Sequence, residues 1–295
     1  MTHFYPGCTL SSSGKAYSRS LYWVFQRLGR QIEELPDWSC CGATSAHALD
    51  RDLAYALPAR NLAIAQEMRS DLMVACSACY HRLKTTQQAL GNPELQKRVQ
   101  QLVDRPLHGS LQIKNVLEIL TEESYLERIH QERTHELAGL KVACYYGCLA
   151  TRIPRVAGFD RVENPTSMER LASAAGANVL HWPYKTECCG ASLSVTNEAL
   201  SLTMCDRILQ MARRCGADLL VTSCPFCQYN LDWAQWKVSQ EEAQTKAIPV
   251  IFITQLLGLA LGGGDKELML SSNLAGAEHV LCPLARTRQP LLVQK

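Results

Sequence analysis

Short apolar runs alternate with longer stretches of helical periodicity through most of the chain. The first run, Phe4-Tyr5, is followed by Pro6-Gly7-Cys8, and a second, Val142-Ala143-Cys144-Tyr145, by Tyr146-Gly147-Cys148. Apolar residues recur at helical spacing over 17–28, and further helices are predicted over 53–68 and 199–214. The latter two lead into buried-strand patterns at 71–75 and 218–222, and each of those strands runs directly into a CxxC. Strands separated by helices predict parallel sheets with helices packed on them, and in such sheets ligands sit at the carboxyl ends of the strands. Cys8, Cys76, Cys148 and Cys224 all fall there.

The same order of elements occurs twice. Ser39-Cys40-Cys41-Gly42-Ala43 returns as Glu187-Cys188-Cys189-Gly190-Ala191, and the strand before Cys76-x2-Cys79 returns before Cys224-x2-Cys227. Cys41 to Cys189 and Cys76 to Cys224 are each 148 positions apart. Matching offsets of that length indicate duplication of a whole domain. The expected fold is therefore α/β: two pseudo-symmetric Rossmann-like domains with parallel sheets, spanning 1–136 and 137–295. The charged stretch 122–136 and Gly139 mark the division. A very apolar run at 251–261 predicts a buried helix against the second sheet, with a weaker counterpart at 113–120. The tail beyond Gly262 reads as irregular, and its last residues are expected to pack poorly.

Composition narrows the function. The 295 residues carry a formal net charge of +2, with Lys and Arg scattered, which gives no support to a nucleic-acid surface. No apolar stretch reaches the ~20 residues of a membrane span, and the start lacks the basic and apolar regions of a signal peptide. A cytoplasmic protein is expected. In a reducing compartment, fourteen cysteines point to metal ligation or redox chemistry rather than to structural disulfides.

Ten of those cysteines form two equivalent sets, Cys8, Cys40, Cys41, Cys76 and Cys79, then Cys148, Cys188, Cys189, Cys224 and Cys227. Thiolates suit zinc and iron–sulfur clusters alike. A structural zinc site closes with four ligands and an ordinary cubane cluster also uses four, so five per half exceeds both. Structural zinc, disulfides and a metal-free dithiol pair at each CxxC remain the alternatives. Cys144, Cys205 and Cys215 read as core residues, and Cys282 lies in the tail. His47, His81, Tyr184 and Lys185 stand near the cysteines as candidates for proton donation or anion binding.

The spacings Cys8-x31-Cys40-Cys41-x34-Cys76-x2-Cys79 and Cys148-x39-Cys188-Cys189-x34-Cys224-x2-Cys227 resemble the cysteine-rich CCG domain. A chain with two such domains is similar to the B subunit family of heterodisulfide reductase. The resemblance implies that the ten cysteines bind two non-cubane [4Fe-4S] clusters facing each other across the domain interface. It also implies an oxidoreductase acting on a sulfur group, like CoB–CoM heterodisulfide reductase, with the clusters as the catalysts and a disulfide or thiol as substrate. Relatives in the wider family serve as electron-transfer components of hydroxy-acid or succinate dehydrogenases, the alternative function. Many of those carry a ferredoxin-like CxxCxxCxxxCP run, which is absent here. Electrons would then come from a separate ferredoxin-like iron–sulfur subunit, itself fed by a flavin subunit, as in the heterodisulfide reductase complexes.

Overall fold

A computed structural model describes residues 2–43, 46–241 and 247–277. It contains two sheets of four strands each. The first holds β1 (Thr2–Tyr5), β2 (Glu33–Glu34), β3 (Asp71–Val74) and β4 (Ile113–Asn115) in the order β2-β1-β3-β4. The second holds β5 (Lys141–Tyr145), β6 (Asn178–Val179), β7 (Leu219–Thr222) and β8 (Val250–Phe252) in the order β6-β5-β7-β8. Every pairing is parallel. The identical strand orders bear out the α/β duplication.

The central strands are apolar because both faces are covered. β3 and β7 are buried along nearly their whole length. The main core runs through both halves and includes Phe4, Leu21, Val74, Val142, Val221 and Leu257. Two smaller clusters cover the outer faces. Ala59, Ala63 and Val99 lie on the first, and Tyr145, Ile208 and Leu220 on the second.

Helix Lys15–Arg27 belongs in sequence to the first half and packs against helix Ile253–Ala260 of the second. The Tyr17 ring stacks on Phe252 with centroids 4.4 Å apart, and Ser20 Oγ lies 2.6 Å from Thr254 Oγ1. Helix Ser77–Ala89 also crosses over, with Tyr80 Oη donating to the Ala157 carbonyl at 2.9 Å.

The apolar run at 251–261 departs from expectation. Its first two residues complete β8, and the helix begins at Ile253. A buried parallel strand that runs straight into a buried helix leaves no polar boundary, so periodicity does not separate them. The Gln255 side chain marks the junction by accepting from the Phe252 amide at 2.8 Å. The counterpart behaves alike: β4 ends at Asn115, and a capping box with Glu118 starts helix Val116–Leu120. Helix Ile253–Ala260 packs on the first half as well as on its own sheet. Beyond Gly262 the chain is more ordered than its composition predicts, with a short helix at Asp265–Leu268 and buried Leu268, Leu270 and Ala277. The last residues of the tail lie outside the described residues.

Candidate metal centres

The parallel register sets the cysteines side by side. Tyr5 is paired with Val74, and Tyr145 with Thr222, so β1 and β3 end together, as do β5 and β7. Cys8 follows the end of β1, and Cys76 caps the helix Ser77–Ala89 that carries Cys79. Cys148 and the Cys224/Cys227 pair repeat this arrangement in the second half.

The loops before the Cys-Cys pairs complete each set. Cys41 Sγ lies 3.2 Å from Cys79 Sγ, and Cys8 Sγ lies 3.8 Å from Cys40 Sγ. In the second set Cys189 Sγ is 3.6 Å from Cys227 Sγ. The amides of Gly42 and Gly190 donate to the Cys40 and Cys188 sulfurs, both at 3.4 Å. The CxxC residues and the second cysteine of each pair are buried, whereas Cys8, Cys40, Cys148 and Cys188 lie on the open side. Within the first set the sulfurs form a chain of contacts, Cys8 to Cys40 and Cys41 to Cys79, and Cys189 meets Cys227 in the second.

Crowding sets the protonation. Hydrogen bonding to Cys41 and Cys76, then burial, pushes the Cys79 thiol well up. Cys227 is raised in the same way by Cys189 and Cys224. Cys41 is held below the usual thiol range by hydrogen bonding with Cys40 and Cys79. Cys188 is lowered by Cys148. Crowded thiols do not all ionise together, so one partner of each contact keeps its proton, which a bound cation would replace. The donors are all sulfur, so the residues present fit an iron–sulfur or zinc–thiolate group.

Residues outside the cysteine pattern support each set. Tyr5 lies behind the first and donates from Oη to the Ser39 carbonyl at 2.8 Å; Tyr145 donates to the Glu187 carbonyl at 2.6 Å. Each thereby anchors the residue just before a Cys-Cys pair. Asn61 accepts from the Ser39 amide at 2.8 Å, and Asn230 donates to the Cys189 carbonyl at 2.8 Å. The repeated Tyr at the end of each first strand was a signal available in the sequence.

Glycine meets two demands here. Gly42 and Gly190 have left-handed backbones, and a Cβ on either would press on the following helix. The glycines closest to sulfur precede the first cysteine instead. Gly7 (φ +69°) would place a Cβ 2.9 Å from Cys79 Sγ, and Gly147 (φ +68°) 2.7 Å from Cys227 Sγ. Gly7→Ala combines that clash with a backbone cost of about 1–2 kcal/mol. It is expected to lower the thermal midpoint and to strip bound metal from the first set only, as metal content per chain would show.

The other candidates have structural partners. Lys185 is buried and forms an ion pair with Glu169 at 2.5 Å, so it is not free to bind an anion. Tyr184 packs at the edge of the second outer cluster. His81 Nε2 is buried without a partner, and burial, then Arg82, lowers its pKa. The His47 side chain and Cys282 lie outside the described residues. Cys144 is fully buried, Cys215 ends helix Glu198–Arg214, and Cys205 donates from Sγ to the Cys189 carbonyl at 3.3 Å.

A model of the cysteine-rich domain family (CCG) matches residues 2–84 and 142–232. The chain is 32% identical to the 8-methylmenaquinol:fumarate reductase membrane anchor subunit of Wolinella succinogenes, covering 93% of this chain and 96% of the relative. It is 30% identical to the B subunit of the ferredoxin/F(420)H(2)-dependent CoB-CoM heterodisulfide reductase of Methanosarcina acetivorans, over 90% and 91%. A protein of Archaeoglobus profundus described as like the B subunit of heterodisulfide reductase is 29% identical, over 87% and 89%. The crystal structure of a hypothetical protein from Helicobacter pylori shares the fold at a TM-score of 0.70 and 16% identity. The match covers 93% of this chain and 52% of that one.

Proposed function

The chain belongs to the cysteine-rich CCG-domain family that includes the B subunit of heterodisulfide reductase, and from that membership we propose that it is the catalytic iron–sulfur component of a heterodisulfide-reductase-like complex. The observation that carries this reading is the gathering of paired cysteines at the end of each parallel sheet, twice over, in halves joined by one core. Cys8, Cys40, Cys41, Cys76 and Cys79 would hold one centre, and Cys148, Cys188, Cys189, Cys224 and Cys227 the other. Five thiolates per set exceed the four of a zinc site or an ordinary cubane cluster, which favours non-cubane four-iron clusters.

A bound cluster supplies electrons singly, and two clusters match the two electrons that a disulfide takes. With two protons the disulfide leaves as two thiols; the reverse reaction returns both electrons and both protons. The protein's part is to hold the two centres rigidly, to keep the CxxC side of each away from water, and to leave the Cys8/Cys40 and Cys148/Cys188 side accessible. We assign no separate acid or base. The same reading divides the chain at 136/137. It brings electrons from a ferredoxin-like iron–sulfur subunit that a flavin subunit reduces, and it assigns the complex to the cytoplasm. No helix among the described residues is long and apolar enough to cross a membrane.

The fumarate reductase relative favours a second reading, an electron-transfer subunit of a succinate- or fumarate-linked complex. Paramagnetic resonance separates the two. When a small thiol is added to the oxidised, cluster-loaded protein, a new thiol-dependent signal is expected. A spectrum unchanged by thiol would instead favour the relay.

A further inference from the structure

Lys and Arg are scattered along the chain as a whole, yet several gather on one face of helix Lys15–Arg27. Lys15, Arg19 and Arg27 recur at multiples of four residues, with Trp23 between them and Arg30 just past the helix end. At about 3.6 residues per turn these positions share one side of the helix. Lys15, Arg19 and Arg27 are exposed, and Trp23 and Arg30 are half-buried. The helix contains no Asp or Glu. Among the described residues, the side chains of Lys15, Arg19 and Arg27 make no ion pair and no hydrogen bond. Acidic side chains on neighbouring elements bond elsewhere: Glu34 accepts from Tyr22 and Trp38, Asp265 from Ser271, and Glu267 from the Gly264 amide.

Folding alone does not select such a face. Lys15 stands at the first position of the helix, where a cation opposes the helix dipole, and neither an acidic residue in the first turn nor a side-chain cap offsets it. The face does not suit a lipid surface, because none of the exposed large apolar side chains lies within 15–30 and nothing there could insert. With a formal net charge of +2, the chain offers a nucleic acid little beyond this one helix. Arginines around an aromatic side chain are instead the composition of a protein interface. The stripe also begins beside both cysteine sets. Helix Gly7–Leu10, which carries Cys8, touches helix Pro225–Glu241, which carries Cys227. A Cβ on Gly14, the residue before Lys15, would lie 3.3 Å from the Cβ of Pro225, the residue after Cys224.

We propose that the exposed face of helix Lys15–Arg27, built on Lys15, Arg19, Trp23 and Arg27, is the docking surface for an acidic one-electron donor protein of the ferredoxin class. Each encounter moves one electron from the donor's reduced cluster to an oxidised cluster of this chain, and no bond breaks. Opposite charges speed the encounter and orient the donor with its cluster towards the amino end of the helix, and their effect weakens as salt is added. The inference rests on the cysteine-bound clusters of the proposed function but not on the disulfide reaction.

The test mixes the iron-loaded chain with a pre-reduced acidic two-iron ferredoxin as the probe and follows its oxidation by stopped-flow absorbance. The double variant Lys15→Glu, Arg19→Glu is expected to oxidise the ferredoxin at least ~10-fold more slowly than wild type at low ionic strength, the difference closing as salt is raised. Both substitutions put carboxylates towards the positive end of the helix, so the thermal midpoint is expected to hold or rise, which separates lost docking from lost structure. Lys97→Glu, a reversal at an exposed lysine of helix Pro93–Gln100, is expected to keep the wild-type rate. Iron content is measured first. A wild-type chain that loads no iron overturns the proposed function and this inference with it. Loaded chains whose rate the double reversal leaves unmoved, or slows no more than Lys97→Glu does, overturn this inference alone. So does sedimentation of the wild-type chain, but not the double variant, with phosphatidylserine vesicles, which would assign the stripe to a lipid surface.

Discussion

Cys41→Ser is expected to remove the first cluster and leave the second, halving the iron bound per chain; Cys189→Ser should do the reverse. Both residues are buried, and each sits against the second cysteine of its own CxxC, at 3.2 Å and 3.6 Å. A serine there replaces a soft thiolate by a hydroxyl that ionises far less readily. The supporting contacts of each set are local: Tyr5 and Asn61 hold the first loop, and Tyr145 and Asn230 the second. Iron and sulfide analysis of the purified variants measures the outcome. Loss of all iron from either variant would show that the halves do not load independently.

Lys185→Met is expected to destabilise the protein by about 3–5 kcal/mol, the usual cost of removing one partner from a buried ion pair. Besides the Glu169 carboxylate, the ammonium donates to Asn164 Oδ1 at 3.0 Å and to the Pro165 carbonyl at 2.7 Å. Tyr146 Oη donates to the other Glu169 oxygen and accepts from the Met168 amide. The Lys185 carbonyl accepts from the Tyr146 amide at 2.8 Å, which ties the loop carrying Cys188 and Cys189 to the end of β5. Chemical denaturation measures the loss. Adding Glu169→Gln to Lys185→Met should restore much of it, because no unpaired charge then stays buried. The equivalent first-half position holds Asp37, which pairs with Arg60 and Arg105 at the surface. Asp37→Asn, which keeps a residue suited to its left-handed backbone, is therefore expected to change stability little.

The parallel sheets, the duplication and the grouping of cysteines were legible because they depend on local pattern and close repetition. Buried parallel strands such as 71–75 stand out as short apolar runs between helices, and a 148-residue offset needs no knowledge of packing. The strand end at the start of the 251–261 run was missed because a buried strand and a buried helix share one hydrophobic signature. Lys185 resembled a free cation beside the site, since nothing in its neighbourhood along the chain names Glu169 as its partner. The packing of helix Lys15–Arg27 on helix Ile253–Ala260 was out of reach for a similar reason, because it arises from how one half sits on the other. By contrast, Gly7 and Gly147 repeat beside cysteines, so their tight approach to sulfur was partly readable.

The most direct test is metal and sulfide analysis of the wild-type chain purified without oxygen. Two four-iron clusters predict about eight irons and eight sulfides per chain. Stoichiometric zinc with little iron and no acid-labile sulfide would contradict the account.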